Sequence, residues 1–547
     1  MTQTKEINLL STSDATSFTA NPNRAEWTYV VLLCGFFLVF NLVTYNFYPA
    51  VWVDEVAFAE PAANLVKYGA FTSRVFEYQP PDTFPVVNCP IFPMSMVPWL
   101  AMAGTNVLAV RSFNYTFMAI AAMLVWIVSW QFRLIPNRVS RIVMVALLHL
   151  GYGMSYSYRC CRPDIIGLIA LLLMLLSFKI ERQRTRLLCL FGLAVLTVWI
   201  GLQVALFAGC AAAGGWIFLR RVKFKEVLTL ATGMGIGAGL LALFFWWKGV
   251  LSYFLVGVVG LLGKHYAHGP RLTPMESIQR IAHSSAISYV DDFTSVVLVL
   301  ASLVLLVFHW KRLVPSTRSF MVFALGLYFL IPPFFNLVGH YAFYYSYMRF
   351  IPVLLGLFAV YQEIPKDRAG GVALKVFLGG AIVAAGMVGL PLRLGLTLAC
   401  CEVASRGELR RVVGSAIRPT DEAFSEYAVF FEVKERTKVV YDPYSSSVLA
   451  PSRIAGGLDL TPEQKKNVSV MVIRPEKLSL MTEFFGGEWQ EVSGVFGDKQ
   501  DFSKLAALPI IGPKFASYAM QPQNIRYQMQ IFRRVETDGT KSASSPK

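Results

Sequence analysis

A polytopic α-helical membrane protein with a C-terminal extracytoplasmic α/β domain is the fold class this sequence predicts. Three observations predict it. Of its 547 residues, 55% are apolar and the mean hydropathy is +0.51, more than a soluble chain needs for its core. The apolar residues gather into runs of about 20, the length at which a helix rising 1.5 Å per residue crosses a hydrocarbon layer of roughly 30 Å. That texture ends near Leu392, after which charged residues mix with short β-rich runs.

Residues 1–24 are polar and show no apolar stretch leading to a small-residue cleavage site, so they read as a cytoplasmic tail before an uncleaved anchor. About eleven spans follow within 25–392, near 27–47, 107–131, 139–157, 163–180, 187–201, 203–220, 227–247, 293–309, 320–338, 349–363 and 373–391. Basic residues mark one side: Arg133, Arg138 and Arg141; Arg182, Arg184 and Arg186; Arg220, Arg221, Lys223 and Lys225; Lys311, Arg312 and Arg318; Lys366 and Arg368. By the positive-inside rule that side is cytoplasmic. An odd number of spans then places residues 393–535 outside the membrane, and the polar stretch 536–547 reads as a disordered tail. In the outer domain, Thr437–Tyr441, Val468–Ile473 and Ile525–Phe532 read as strands. Glu402–Val413, Tyr427–Glu435 and Lys477–Phe485 read as helices between them.

The net charge of +16 does not point to nucleic acid. Residues 1–391 hold 29 Lys and Arg against 16 Asp and Glu, while 392–547 hold 21 against 18. The excess therefore lies mainly in the membrane part, where topology and anionic lipid account for it. Among the eight cysteines no spacing resembles a zinc site, and a disulfide from Cys89 to Cys160 or Cys161 is one option in an oxidising compartment.

Polar groups collect on the outward loops. Asp54 and Glu55 open a helical pattern, Asp54 to Tyr68, just beyond the first span. Acids in a first helical turn suit the macrodipole, which is the plainer account of the pair. Arg162-Pro163-Asp164 opens the fourth expected span with Pro at the first turn. A long loop carries Lys264 and His265 in a basic, turn-rich segment suited to phosphate. The last outer loop runs Tyr341-Ala342-Phe343-Tyr344-Tyr345-Ser346-Tyr347 into Met348-Arg349-Phe350-Ile351-Pro352. Each alone passes for a snorkelling or capping residue. Together on one face they suit an enzyme taking a lipid-phosphate donor from the membrane and an acceptor from outside.

In that order, Asp54-Glu55, Asn88-Cys89-Pro90-Ile91-Phe92-Pro93, Arg162-Pro163-Asp164 and Met348-Arg349-Phe350-Ile351-Pro352 resemble the GT-C superfamily of polyprenyl-phosphate-sugar glycosyltransferases. The likeness is to the protein O-mannosyltransferase and lipid A aminoarabinose transferase group and spans roughly residues 25–395. It implies that Asp54 is the general base, with Glu55 the second candidate, and that one sugar passes with inversion from a polyprenyl phosphate to an extracytoplasmic hydroxyl on lipid, glycan or protein. It further implies that Arg162, Lys264 and Arg349 hold phosphate, with His265 and Tyr345 beside them as substrate-binding residues, and that Asp164 touches the sugar or orients a cation. Asn88 stands where the aminoarabinose transferases carry an acid, so no metal or other cofactor is expected. The competing readings are a transporter or flippase of a lipid-linked or polar substrate and a non-catalytic assembly subunit. The first predicts ionisable residues deep in the spans and a repeat between halves, neither of which stands out.

Overall fold

The computed structural model describes residues 22–75, 79–86, 89–219, 222–255, 273–338, 341–365, 369–442, 460–507, 509 and 525–535. Among them, nine helices are long and apolar enough to cross a membrane, or ten spans if one sharply bent pair counts as one. The nine are Arg24–Val43, Val107–Gln131, Gln183–Ile200, Leu202–Leu219, Phe224–Trp247, Phe293–Arg312, Pro315–Leu337, Phe343–Glu363 and Ala369–Met387. Each corresponds to an expected span.

The two remaining expected spans are where the structure differs. In place of a helix over 139–157 there is a 13-residue helix, Arg138–Leu150, followed at Gly151 by a short one, Tyr152–Arg159. That short helix then bends by 113° into Asp164–Ser177. The physical cause is local. Gly151 accepts extended dihedrals that end the first helix, and Pro163 cannot supply an amide to continue the second. The sequence between them, Tyr-Gly-Met-Ser-Tyr-Ser-Tyr-Arg, is too polar for lipid yet is wholly buried in protein, which is where broken helices at membrane depth are tolerated.

The chain divides into two compact units. The first comprises 1–45, 87–95 and 111–395. Its core is aliphatic and aromatic, built around Trp126, Met144, Leu148, Tyr158, Ile165, Leu298, Met321 and Leu354. Close helix approach relies on small residues. A side chain at Gly233 would come within 2.8 Å of Phe191 O and of Ala194 Cβ, and one at Gly237 within 2.9 Å of Val195 O. The Phe224–Trp247 helix can therefore lie against Gln183–Ile200 only because both positions lack a Cβ. At the start of the first span Asn23 caps the helix by accepting from Glu26 N at 2.9 Å. The Glu26 carboxylate, 2% exposed, is held by Arg141 through Nε and Nη2, both at 2.6 Å, and by Trp126 Nε1 at 2.9 Å. None of the eight cysteines is joined in a disulfide, so neither suggested Cys89 pairing forms.

The second unit comprises 46–86, 96–110 and 396–547. It draws two stretches near the first span in with the C-terminal region, a grouping that composition does not announce. Its sheet is built from β2 (Glu422–Ser425), β3 (Val439–Tyr441), β4 (Val468–Ile473), β5 (Trp489–Glu491), β6 (Phe496–Gly497) and β8 (Gln528–Arg534), while β1 (Cys401–Glu402) pairs separately with β7 (Lys499–Gln500). The order is β3-β2-β4-β8-β5, with β6 also on β8. β3, β2 and β4 run parallel, Ala423 opposite Val440 and Val470, and β8 returns antiparallel with Met471 opposite Phe532. Parallel strands need crossovers. The helix Phe430–Arg436 supplies the one from β2 to β3. Phe424, Met471, Ile473, Met481, Phe485 and Phe532 form the core on one face. The mixed α/β character matches the expected class.

Candidate functional site

In the first unit, the bend after Tyr152–Arg159 delivers Arg162 and Asp164 into the protein interior. Both are buried, at 3% and 0% exposure. Arg162 Nε donates to Asp164 Oδ2 at 2.9 Å, and Ser157 Oγ donates to the same oxygen at 2.9 Å. The face of the guanidinium lies 3.4 Å from the centroid of Tyr344, with Tyr345 at 5.9 Å. Asn114 Nδ2 donates to Arg162 O at 2.8 Å and fixes the backbone of the turn. The close approach depends on Gly153, where a Cβ would fall 2.7 Å from Phe343 O.

Arg349, in the first turn of Tyr347–Glu363, is fully buried. Its guanidinium sits 4.6 Å from the Tyr341 ring, 4.7 Å from Tyr328 and 5.9 Å from Tyr289. Nη2 donates to Ser288 O at 2.8 Å, while Nε and Nη1 have no hydrogen-bond acceptor among the described residues. Asp291 and Asp292 act on this cluster electrostatically without an ion pair to Arg349 among the described residues. A buried guanidinium with two open donors is costly, and its fork geometry is that of a carboxylate or phosphate receptor. The two arginines are joined by rings: Tyr344 and Tyr345 are 4.9 Å apart, and Tyr345 and Tyr341 6.1 Å. Arg162, Asp164, Tyr345 and Arg349 are thus brought together, with Tyr344, Tyr341, Tyr328, Tyr289 and Ser157 as partners that the sequence did not single out. Tyr341 and Tyr344 lay in a loop already flagged as aromatic. Tyr289 and Tyr328 come from distant segments that carry no motif. Lys264 and His265 lie outside the described residues.

In the second unit, Asp54 and Glu55 occupy the first turn of Val53–Tyr68. Asp54 is half-buried and Glu55 is completely buried. Two turns on, the fully buried Glu60 accepts from Ser73 Oγ at 2.6 Å and Arg74 N at 3.0 Å, and pairs with Lys434 Nζ at 3.6 Å. Lys434 Nζ also donates to Lys438 O at 2.8 Å. Around it stand Glu60, Lys67 and Tyr68 of the helix, Arg74 and Asp82 of the following loop, and Lys438. Burial brings the Lys434 ammonium down to about 8, against the pull of Glu60. Between about pH 8 and the ordinary lysine range the unfolded chain binds more protons than the folded one, so stability rises with pH across that window and the gain is lost as pH falls through 8. Thermal unfolding from pH 7.5 to 10 should show wild type gaining on Lys434→Met by up to roughly 3 kcal/mol. Parallel pH profiles would show that Lys434 titrates normally.

No protein-family model matches this sequence, and no curated protein does. Solved structures do match. ArnT from Cupriavidus metallidurans in the apo state is 11% identical, with a TM-score of 0.52 over 93% of this chain and 98% of that one. The apo oligosaccharyltransferase from Archaeoglobus fulgidus is also 11% identical, with a TM-score of 0.48 over 84% of this chain and 71% of that one. Over nearly its whole length the chain therefore has an ArnT-like fold.

Proposed function

We propose that the chain is an integral membrane glycosyltransferase that moves a single sugar from a polyprenyl-phosphate donor to an extracytoplasmic hydroxyl on lipid, glycan or protein. The ArnT-like fold supports the enzyme class. The observation that carries the donor chemistry is Arg349, buried with two unspent donors. On this reading Arg349 binds the phosphate, with Arg162 and the undescribed Lys264 and His265 as further donor contacts. Tyr345 lines the way between Arg162 and Arg349, and Asp164 orients the Arg162 guanidinium or touches the sugar. Asp54 takes the proton from the acceptor hydroxyl as that oxygen attacks the anomeric carbon. The bond from that carbon to the phosphate oxygen breaks, its electron pair leaves with the polyprenyl phosphate, and the anomeric configuration inverts. Phosphate leaves readily, so one placed carboxylate and cations for the departing charge suffice, and the scheme calls for no metal. The basic loops put the N-terminus in the cytoplasm and the C-terminal domain outside.

Binding of a polyprenyl phosphate to the purified protein tests the assignment. It should raise the unfolding temperature of wild type through mass action. Loss of charge-assisted bonds in Arg349→Ala should weaken affinity roughly 10- to 100-fold, with part recovered in Arg349→Lys. Equal shifts in wild type and Arg349→Ala would remove Arg349 from the donor site.

A further inference from the structure

The C-terminal region takes hold of the chain on both sides of Asp54 and Glu55. Before them, Arg526 Nη2 donates to Asn46 O at 3.0 Å and to Phe47 O at 2.6 Å, while its Nη1 is paired with Asp498. Arg526 is 6% exposed. The Asn46 side chain is held at both ends: its Oδ1 accepts from Arg406 Nε at 2.8 Å, and its Nδ2 donates to Ala404 O at 2.9 Å. Arg406 is fixed in turn by Ala428 O at 2.8 Å and by Glu432 at 3.3 Å. Asp498 Oδ1 accepts from Ala404 N at 2.8 Å, which closes the network.

Beyond them, the same region grips the far half of the Val53–Tyr68 helix. Lys434 pairs with Glu60 at 3.6 Å. Lys434 O accepts from Lys67 Nζ at 3.3 Å and from Tyr68 OH at 3.5 Å. Between the two grips, Val53, Val56, Ala57, Ala59, Ala62 and Ala63 are buried. The helix starts without a side-chain cap, so the hold on the preceding residues contributes to fixing its first turn.

We propose that Arg526 and Lys434 are positioning residues for the acidic first turn, holding Asp54 at a fixed distance and angle through Asn46-Phe47 on one side and Glu60 on the other. The proposal rests on the glycosyl-transfer reading for its kinetic consequence and on the two grips alone for its structural one. Neither residue touches substrate. Two carbonyls seven and eight residues before Asp54, clamped by one planar fork, leave the entry to the helix little freedom. A carboxylate displaced by about 1 Å loses up to roughly 100-fold in rate while the bound donor is unaffected.

Two measurements on the full-length protein in nanodiscs decide it. The first is hydrogen exchange at residues 53–57. Arg526→Met and Lys434→Met should each raise exchange there at least about tenfold, with the Arg24–Val43 helix unchanged and partial recovery in Arg526→Lys and Lys434→Arg. The second is kinetics of polyprenyl-phosphate release over a panel of polyprenyl-phosphate hexoses and aminopentoses. The Met variants should lose about 10- to 100-fold in kcat with donor KM within about twofold, and the conservative variants should regain much of it. Unchanged exchange at 53–57 overturns the proposal whether or not turnover is seen. Faster exchange with full kcat in an active enzyme overturns it as well. Wild type that consumes no donor in the panel counts against the transferase reading, and the exchange result then decides the positioning by itself.

Discussion

Asp54→Asn should lower the rate of sugar transfer by roughly 10²–10⁴, the range lost with a general base, while donor affinity persists. Asparagine keeps the size and the hydrogen-bonding capacity of the side chain and removes only proton acceptance. The neighbouring carboxylate should behave differently. Adjacent helical residues point about 100° apart, and Glu55 is fully buried where Asp54 is half-buried. Glu55→Gln should therefore register chiefly in stability, with turnover less affected than in Asp54→Asn. Were the pair no more than an acidic helix start, each substitution would cost up to about 1 kcal/mol and leave transfer intact. Rates, expression and donor affinity of the two variants separate these accounts. Full activity in Asp54→Asn would end the assignment of Asp54 as base.

The second large effect is expected far from that turn, at Glu26. Removing its partner in Arg141→Met should destabilise the protein by about 3–5 kcal/mol, because a carboxylate is left buried without a compensating charge. Arg138, 3.8 Å from Glu26 and half-exposed, is too loosely held to replace the paired fork of Arg141 at 2.6 Å. Arg141 also ties down the preceding turn through Ile135 O at 2.8 Å and Pro136 O at 2.9 Å. The double variant Glu26→Gln/Arg141→Met should recover a substantial part of the loss, since no lone charge remains. Thermal unfolding in detergent reads both. A single variant as stable as wild type would mean that the carboxylate is solvated or protonated there.

The spans were legible because lipid imposes a plain rule on composition, and a run such as 107–131 satisfies it without help from the rest of the fold. The rule failed where protein, not lipid, surrounds the helix. Tyr152–Arg159 is buried among other helices, so its tyrosines and serines break the hydropathy pattern without leaving the interior. In the C-terminal domain the runs at 468–473 and 478–485 could be read from their periodicity, whereas β2, four residues with one acid, could not. Its place between β3 and β4 comes from pairing, which is non-local. The same distinction holds at the candidate site. Arg162, Asp164 and Arg349 announce themselves as ionisable residues where membranes exclude them. Tyr289 and Tyr328 beside Arg349 and the Lys434 beside Glu60 carry no local signal. The Arg526 clamp on Asn46 spans 480 residues of sequence, and no spacing rule reaches that far.

Transfer of a sugar from a polyprenyl phosphate, as proposed for this chain, leaves two products that can be followed together. Purified full-length protein in nanodiscs, given the panel of polyprenyl-phosphate sugars with membrane lipid and glycan acceptors, tests it most directly by mass spectrometry of both products. Free polyprenyl phosphate and a sugar-bearing acceptor are expected in equal amounts, with inverted anomeric configuration, and little of either from Asp54→Asn. Intact donor and unmodified acceptor throughout, alongside movement of the intact lipid-linked sugar between leaflets in proteoliposomes, would rule out transfer and point to a flippase.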